Sequence, residues 1–99
     1  MKVYGFGSYF DSRKSYRDID ILIVHQEEAE ESCMRAIETK SVILTAVNDA
    51  HVSILSASAE KHFSFIARSG AILLGTVDEN SLVESVRKIS SKLSAFRKI

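Results

Sequence analysis

The sequence predicts an α/β (α+β) domain in which a small mixed β-sheet is flanked by helices. Three observations lead there. The 99 residues, 45% hydrophobic and 26% charged, have the composition of a folded globular chain with room for a single domain over residues 1–99. A β-rich run, Ile19-Asp20-Ile21-Leu22-Ile23-Val24, stands between polar segments, and shorter apolar runs recur at 3–6, 51–55 and 71–74. Between and after them lie stretches with helical spacing. In the clearest, Leu82, Val86, Ile89, Leu93 and Phe96 alternate spacings of four and three, so one apolar stripe runs down a helix.

Taken in order, residues 3–6 read as a short strand running into Gly7-Ser8, and residues 19–24 as a second strand bounded by a polar loop. That loop carries Arg13, Lys14 and Arg17, three basic side chains that can face a ligand. Glu27, Glu28, Glu30 and Glu31 gather where the next helix begins, because acids in a first turn interact favourably with the helix dipole. Ala29, Cys33, Ala36 and Ile37 then supply its apolar face. Residues 41–47 read equally well as an extension of this helix or as a strand, and residues 51–55 as a short strand. Residues 57–68 show helical spacing, with Ala59, Phe63, Ile66 and Ala67 toward one side, closed by Ser69-Gly70. Residues 71–74 form a short strand. Residues 79–98 form a C-terminal amphipathic helix whose stripe docks on the sheet while Arg87, Lys88, Lys92, Arg97 and Lys98 stay solvated.

Thirteen Lys and Arg balance thirteen Asp and Glu, so no global field draws the chain to nucleic acid or to an anionic membrane. Phosphate binding has to be local. Tyr9, Phe10 and Tyr16 are the only aromatics near the basic loop, too few to support a dedicated nucleic-acid surface. No apolar run is long enough to span a membrane. The one cysteine, Cys33, makes no internal disulfide, and residues 1–5 lack the apolar core of a signal peptide; both point to the cytoplasm. On the apolar side of its helix, Cys33 reads as core rather than nucleophile. A chain this short buries a modest share of its surface, which favours a dimer or a partner over one face.

The chemistry-bearing pattern is Gly7-Ser8, nine residues, then Asp18-Ile19-Asp20. Residues two apart on a strand share a face, so the carboxylates of Asp18 and Asp20 are expected on one side, roughly 6.6 to 6.8 Å apart along the backbone. Crowded acids repel, and the usual remedies are an ion pair or a hard cation such as Mg²⁺, which takes oxygen ligands and is often shared with substrate phosphates. The cation also accounts for the turn upstream. Gly7 lets the backbone approach a ligand closely, and Ser8 offers a hydroxyl and an amide to a phosphate.

The run Phe6-Gly7-Ser8-Tyr9, followed by Asp18-Ile19-Asp20-Ile21-Leu22-Ile23-Val24, resembles the DNA polymerase β-like nucleotidyltransferase superfamily, and looks most like its minimal nucleotidyltransferase members. The resemblance extends more weakly through Leu55-Ser56, Phe63, Ile66 and Gly70-Ala71-Ile72-Leu73-Leu74, to about residue 75. It implies a nucleotidyltransferase-like fold in which Gly7 and Ser8 bind the phosphates of a nucleoside triphosphate and Asp18 and Asp20 hold divalent metal, Mg²⁺ or Mn²⁺. The activity it implies is metal-dependent transfer of a nucleoside monophosphate to an acceptor hydroxyl, one candidate for which is a hydroxyl on a partner protein.

The chain departs from that pattern at one place. Such enzymes usually supply a third carboxylate from a later strand. Registering the chain on Leu55-Ser56 puts His51 there, and a shift of two puts Ser53 there; neither is an acid, and Asp49 sits only at the strand's entrance. His51 reads as a metal ligand or base in place of the acid, or as a histidine satisfied by a neighbouring carboxylate or carbonyl. The departure supports a second expectation, a catalytically impaired nucleotidyltransferase-like binding module. The resemblance adds that minimal members pair with a small helical protein, some as the antitoxin of a toxin–antitoxin pair. The expected partners are therefore a nucleoside triphosphate and either a helical protein or a second copy of the chain. Ser8, His51 and an aspartate do not amount to a hydrolase triad, because the Gly-x-Ser-x-Gly elbow is missing. His25 and His62 carry no functional signal.

Overall fold

The computed structural model describes residues 1–11 and 15–96. Arg13 and Lys14 of the basic loop, and Arg97 and Lys98 of the expected last helix, lie outside the described residues. Within them the chain runs through β1 (Lys2–Phe6), β2 (Ile19–His25), α1 (Glu30–Ala46), β3 (Ala50–Ser56), α2 (Ala57–Phe63), α3 (Phe65–Ser69), β4 (Ile72–Thr76) and α4 (Leu82–Phe96). Short 3-10 turns stand at Ser8–Phe10 and Glu79–Ser81. The strands form one sheet in the order β3-β2-β1-β4, with β1 antiparallel to both β2 and β4, and β2 parallel to β3. A parallel pair needs a connection of a dozen or more residues, and α1 provides it. The small mixed sheet flanked by helices is the class that the sequence predicts.

β2 occupies the middle of the molecule, and Ile21, Leu22, Ile23, Val24 and His25 are all buried. Ile21 and Ile23 join the main core with Val3, while Leu22 and Val24 alternate to the opposite face, where α2 packs on β2 and β3. A strand covered on both faces has no solvated side to mark with polar residues, so its sequence is a continuous apolar run. His25 closes the strand with Nδ1 2.8 Å from the Glu27 carbonyl oxygen and 3.1 Å from Ser32 Oγ.

α1 resolves the two readings of residues 41–47 in favour of the helix, which runs to Ala46 and closes with the Val47 N–H donating to the Ile43 carbonyl at 2.8 Å. Its β-branched residues lower helix propensity there, and burial of Ile43 outweighs the difference. The expected apolar face is corrected. Ala36 is in the core, but Ala29 and Cys33 are exposed and Ile37 is 49% exposed. The buried stripe runs instead through Ala36, Thr39 and Ile43. Thr39 can sit there because its hydroxyl donates to the Arg35 carbonyl at 2.8 Å, and this rotates the core face away from Cys33 and Ile37.

The helix expected over residues 57–68 is broken at Ser64, which takes a left-handed conformation with φ 51. Glu60 bridges the break: its carbonyl accepts the Ser64 N–H at 2.7 Å and its carboxylate the Ile66 N–H at 3.0 Å. Ser56 caps α2, accepting the Ala59 N–H at 3.1 Å, and Gly70, also left-handed, closes α3. α4 carries the expected stripe: Val86, Ile89 and Leu93 are buried, and Leu82 and Phe96 pack half-buried on the same core. A Cβ on Gly75 would stand 3.1 Å from Ile89 Cγ1, so α4 lies tight against β4, on the face that α1 shares. Among the described residues no helix is long and apolar enough to cross a membrane.

Candidate functional site

The strand register brings the two halves of the sequence motif together. Phe6 stands opposite Asp20 across β1 and β2, and Asp20 stands opposite His51 across β2 and β3. Gly7, one residue past β1, therefore leaves the sheet beside Asp20. Its backbone, φ 84 and ψ −165, lies in a region that is essentially reserved for glycine. A Cβ at this position would lie 2.6 Å from Asp20 Oδ2. Glycine thus makes the sharp exit possible and lets the Asp20 carboxylate lie against the turn. Ser8 opens the 3-10 turn, in which the Phe10 N–H donates to the Gly7 carbonyl at 3.2 Å and the Asp11 N–H to the Ser8 carbonyl at 3.1 Å.

Aromatic side chains hold this turn in place. The Phe10 ring fills the space over Gly5 that a side chain there would take, and meets Phe96 edge-on at 5.0 Å. Tyr9 is buried, with Phe10 at 5.2 Å and Tyr16 at 4.7 Å in edge-to-face contact, and its hydroxyl donates to the Leu93 carbonyl at 2.7 Å. From the sequence Tyr9 and Phe10 read as aromatics near a basic loop, with Tyr9 closing the run that carries the resemblance, and neither as an anchor of the turn. The signal passed over is Gly5, two residues before Gly7, which a bulky ring covers.

Asp20 is 30% exposed and His51 70% exposed at the side chain, and Nδ1 lies 3.7 Å from Oδ1, beyond hydrogen-bond distance. Of the positions weighed for a third acid, His51 is the one that faces Asp20; Ser53 stands opposite Leu22. Asp49, left-handed at φ 64, immediately precedes β3, and its carbonyl accepts the Ile19 N–H at 2.8 Å. Asp18 is exposed and lies in a bend one residue before β2, so the strand alternation that placed it on the Asp20 face does not reach it. Phe6, in the same row as Asp20, packs edge-to-face on Phe65 at 4.9 Å and ties α3 to the rim of the site.

Among the described residues no three or more His, Cys, Asp or Glu side chains gather closely enough to hold a metal ion by themselves. Asp20 alone is seen against Gly7; a Mg²⁺ site that takes one or two carboxylates and completes its shell with substrate phosphates needs Asp20 with or without Asp18. Among the described residues, two of the hollows lie elsewhere. One, of about 350 Å³, runs between α1 and α4 past Val42, Val83, Arg87 and Ser90. The other, of about 290 Å³, lies by the start of α1 at Met1, Glu27, Ser32 and Arg35. Glu31 at 2.8 Å and Glu79 at 3.0 Å already engage Arg35, and hold its guanidinium above its ordinary pKa, Glu31 most strongly. Set against models of known protein families, curated proteins and solved structures, the chain finds no match.

Proposed function

We propose that the chain is a metal-dependent nucleotidyltransferase that binds a nucleoside triphosphate at the Gly7-Ser8 turn and transfers its nucleoside monophosphate to an acceptor hydroxyl. The observation that carries this reading is that the Asp20 carboxylate lies directly against the Gly7 backbone, where a side chain would clash. Phosphate needs backbone donors, and a turn that leaves a strand against a carboxylate supplies them next to a place for a cation. Asp18 and Asp20 are the residues to hold Mg²⁺ or Mn²⁺. When bound, such an ion neutralises phosphate charge as it develops during transfer. Gly7 and Ser8 receive the phosphates, Ser8 with its hydroxyl and amide, and His51 stands beside Asp20 where an acceptor hydroxyl can reach it.

One observation favours a second reading: the residue facing Asp20 is a histidine and not an acid. On that reading the chain keeps the nucleotide site with reduced chemistry and acts through a partner, as an antitoxin-type module for a small helical protein or as a homodimer. Titration of each nucleoside triphosphate with and without Mg²⁺, followed by an assay for transfer of label from the α-phosphate, separates the two. Asp18→Asn and Asp20→Asn are each expected to weaken metal-dependent triphosphate binding by more than about tenfold, the range for disturbing metal-site partners. Both carboxylates lie at the surface or half-exposed, so thermal unfolding should stay near wild type. Unchanged affinity in either variant contradicts the assignment, and binding without transfer selects the second reading.

A further inference from the structure

We propose that α4, at Leu93, is part of the nucleotide site, with Tyr9 as the positioning residue that couples the two. The proposal rests on the reading of Gly7-Ser8 as a phosphate-binding turn. A three-residue 3-10 turn closes on few backbone bonds, here two of 3.2 and 3.1 Å, so contacts from outside it add to its definition. Tyr9 is 5% exposed, and its hydroxyl reaches the Leu93 carbonyl at 2.7 Å across 84 residues of sequence. Its neighbour Phe10 fills the space over Gly5 and meets Phe96.

Leu93 is buried on the core face of α4 near the limit of the described residues, and its carbonyl takes the Tyr9 hydroxyl. Tyr9 supplies a donor to that carbonyl, and the carbonyl supplies a partner to a hydroxyl buried under the turn. Strand register sets Gly7 beside Asp20, and the turn that follows is tied to α4, an element 84 residues away in sequence. Displacement of α4 at Leu93 lowers the fraction of molecules with a competent turn, and apparent affinity falls in proportion to that fraction. One hydrogen bond of ordinary net strength shifts the underlying equilibrium about fivefold, which is the upper bound on the loss of affinity.

Tyr9→Phe removes the hydroxyl and keeps the ring. Ile43→Val serves as a control, since it weakens the core in α1, away from the turn. Binding of a non-hydrolysable ATP analogue with Mg²⁺ is measured calorimetrically at a temperature where all three proteins are folded. Amide hydrogen exchange of residues 8–10 is measured without nucleotide. Tyr9→Phe is expected to weaken binding by up to about fivefold and to speed exchange at residues 8–10, while Ile43→Val leaves both at wild-type values. Wild-type affinity and exchange in Tyr9→Phe, or an equal loss of affinity in Ile43→Val, overturns the coupling. A wild-type protein that binds no analogue overturns the nucleotide reading, and with it the role of α4 in a nucleotide site, even where exchange shows the turn clamped.

Discussion

Gly7→Ala is expected to abolish triphosphate binding and to destabilise the fold by about 1–3 kcal/mol, the range for forcing a side chain into a sparsely populated backbone region. Two effects add. The conformation at φ 84 and ψ −165 excludes a Cβ on steric grounds, and the new methyl would sit 2.6 Å from Asp20 Oδ2. The strain can be relieved by turning the half-exposed carboxylate away or by moving the turn. Either response separates the phosphate-binding backbone from the acid, so binding is lost even if the protein stays folded. Urea denaturation with parallel triphosphate titration reads both effects. A folded Gly7→Ala protein with wild-type affinity would contradict the site.

Ile43→Ala is expected to cost about 2–5 kcal/mol, a large share of the total stability of a domain this size. Ile43 is fully buried in the core that α1 shares with α4 and the sheet, and truncation leaves a cavity there. Ile37, in the same helix, is 49% exposed, and Ile37→Ala should fall within about 0.5 kcal/mol of wild type. The denaturation midpoint should drop sharply for the first with an unchanged slope, and barely move for the second. Equal losses at both positions would contradict the orientation of α1.

That contrast also marks how far the sequence could be read. Where burial is continuous or periodic the elements are plain: the apolar run of β2, covered on both faces, and the stripe from Leu82 to Phe96. The stripe of α1 misleads because Thr39, polar by type, satisfies its hydroxyl inside the helix and takes a core place that Cys33 appeared to hold. The break at Ser64 leaves no mark of its own either, because it depends on Glu60 folding back to the Ile66 amide. At the site, the sequence offers Gly7-Ser8 and Asp20 as one spaced motif, and the resemblance puts His51 at the third-carboxylate position; that Phe6 and His51 stand opposite Asp20 is set by strand pairing, which no local residue encodes. The offset of Asp18 depends on where the strand starts, the least determinate feature of any element. The anchoring of the turn by Tyr9 was out of reach, since nothing local signals a hydrogen bond to a helix carbonyl 84 residues away.

Gly7, Ser8 and Asp20 are proposed to form one nucleotide site. The most direct test is to follow backbone amide resonances of the isotope-labelled protein during titration with each nucleoside triphosphate and Mg²⁺. The largest shifts should fall on Gly7, Ser8 and Asp20, with His51 beside them, and should vanish in Asp20→Asn. No shifts at high concentrations of any triphosphate, or shifts gathered instead at Val42, Val83 and Ser90 between α1 and α4, would contradict it.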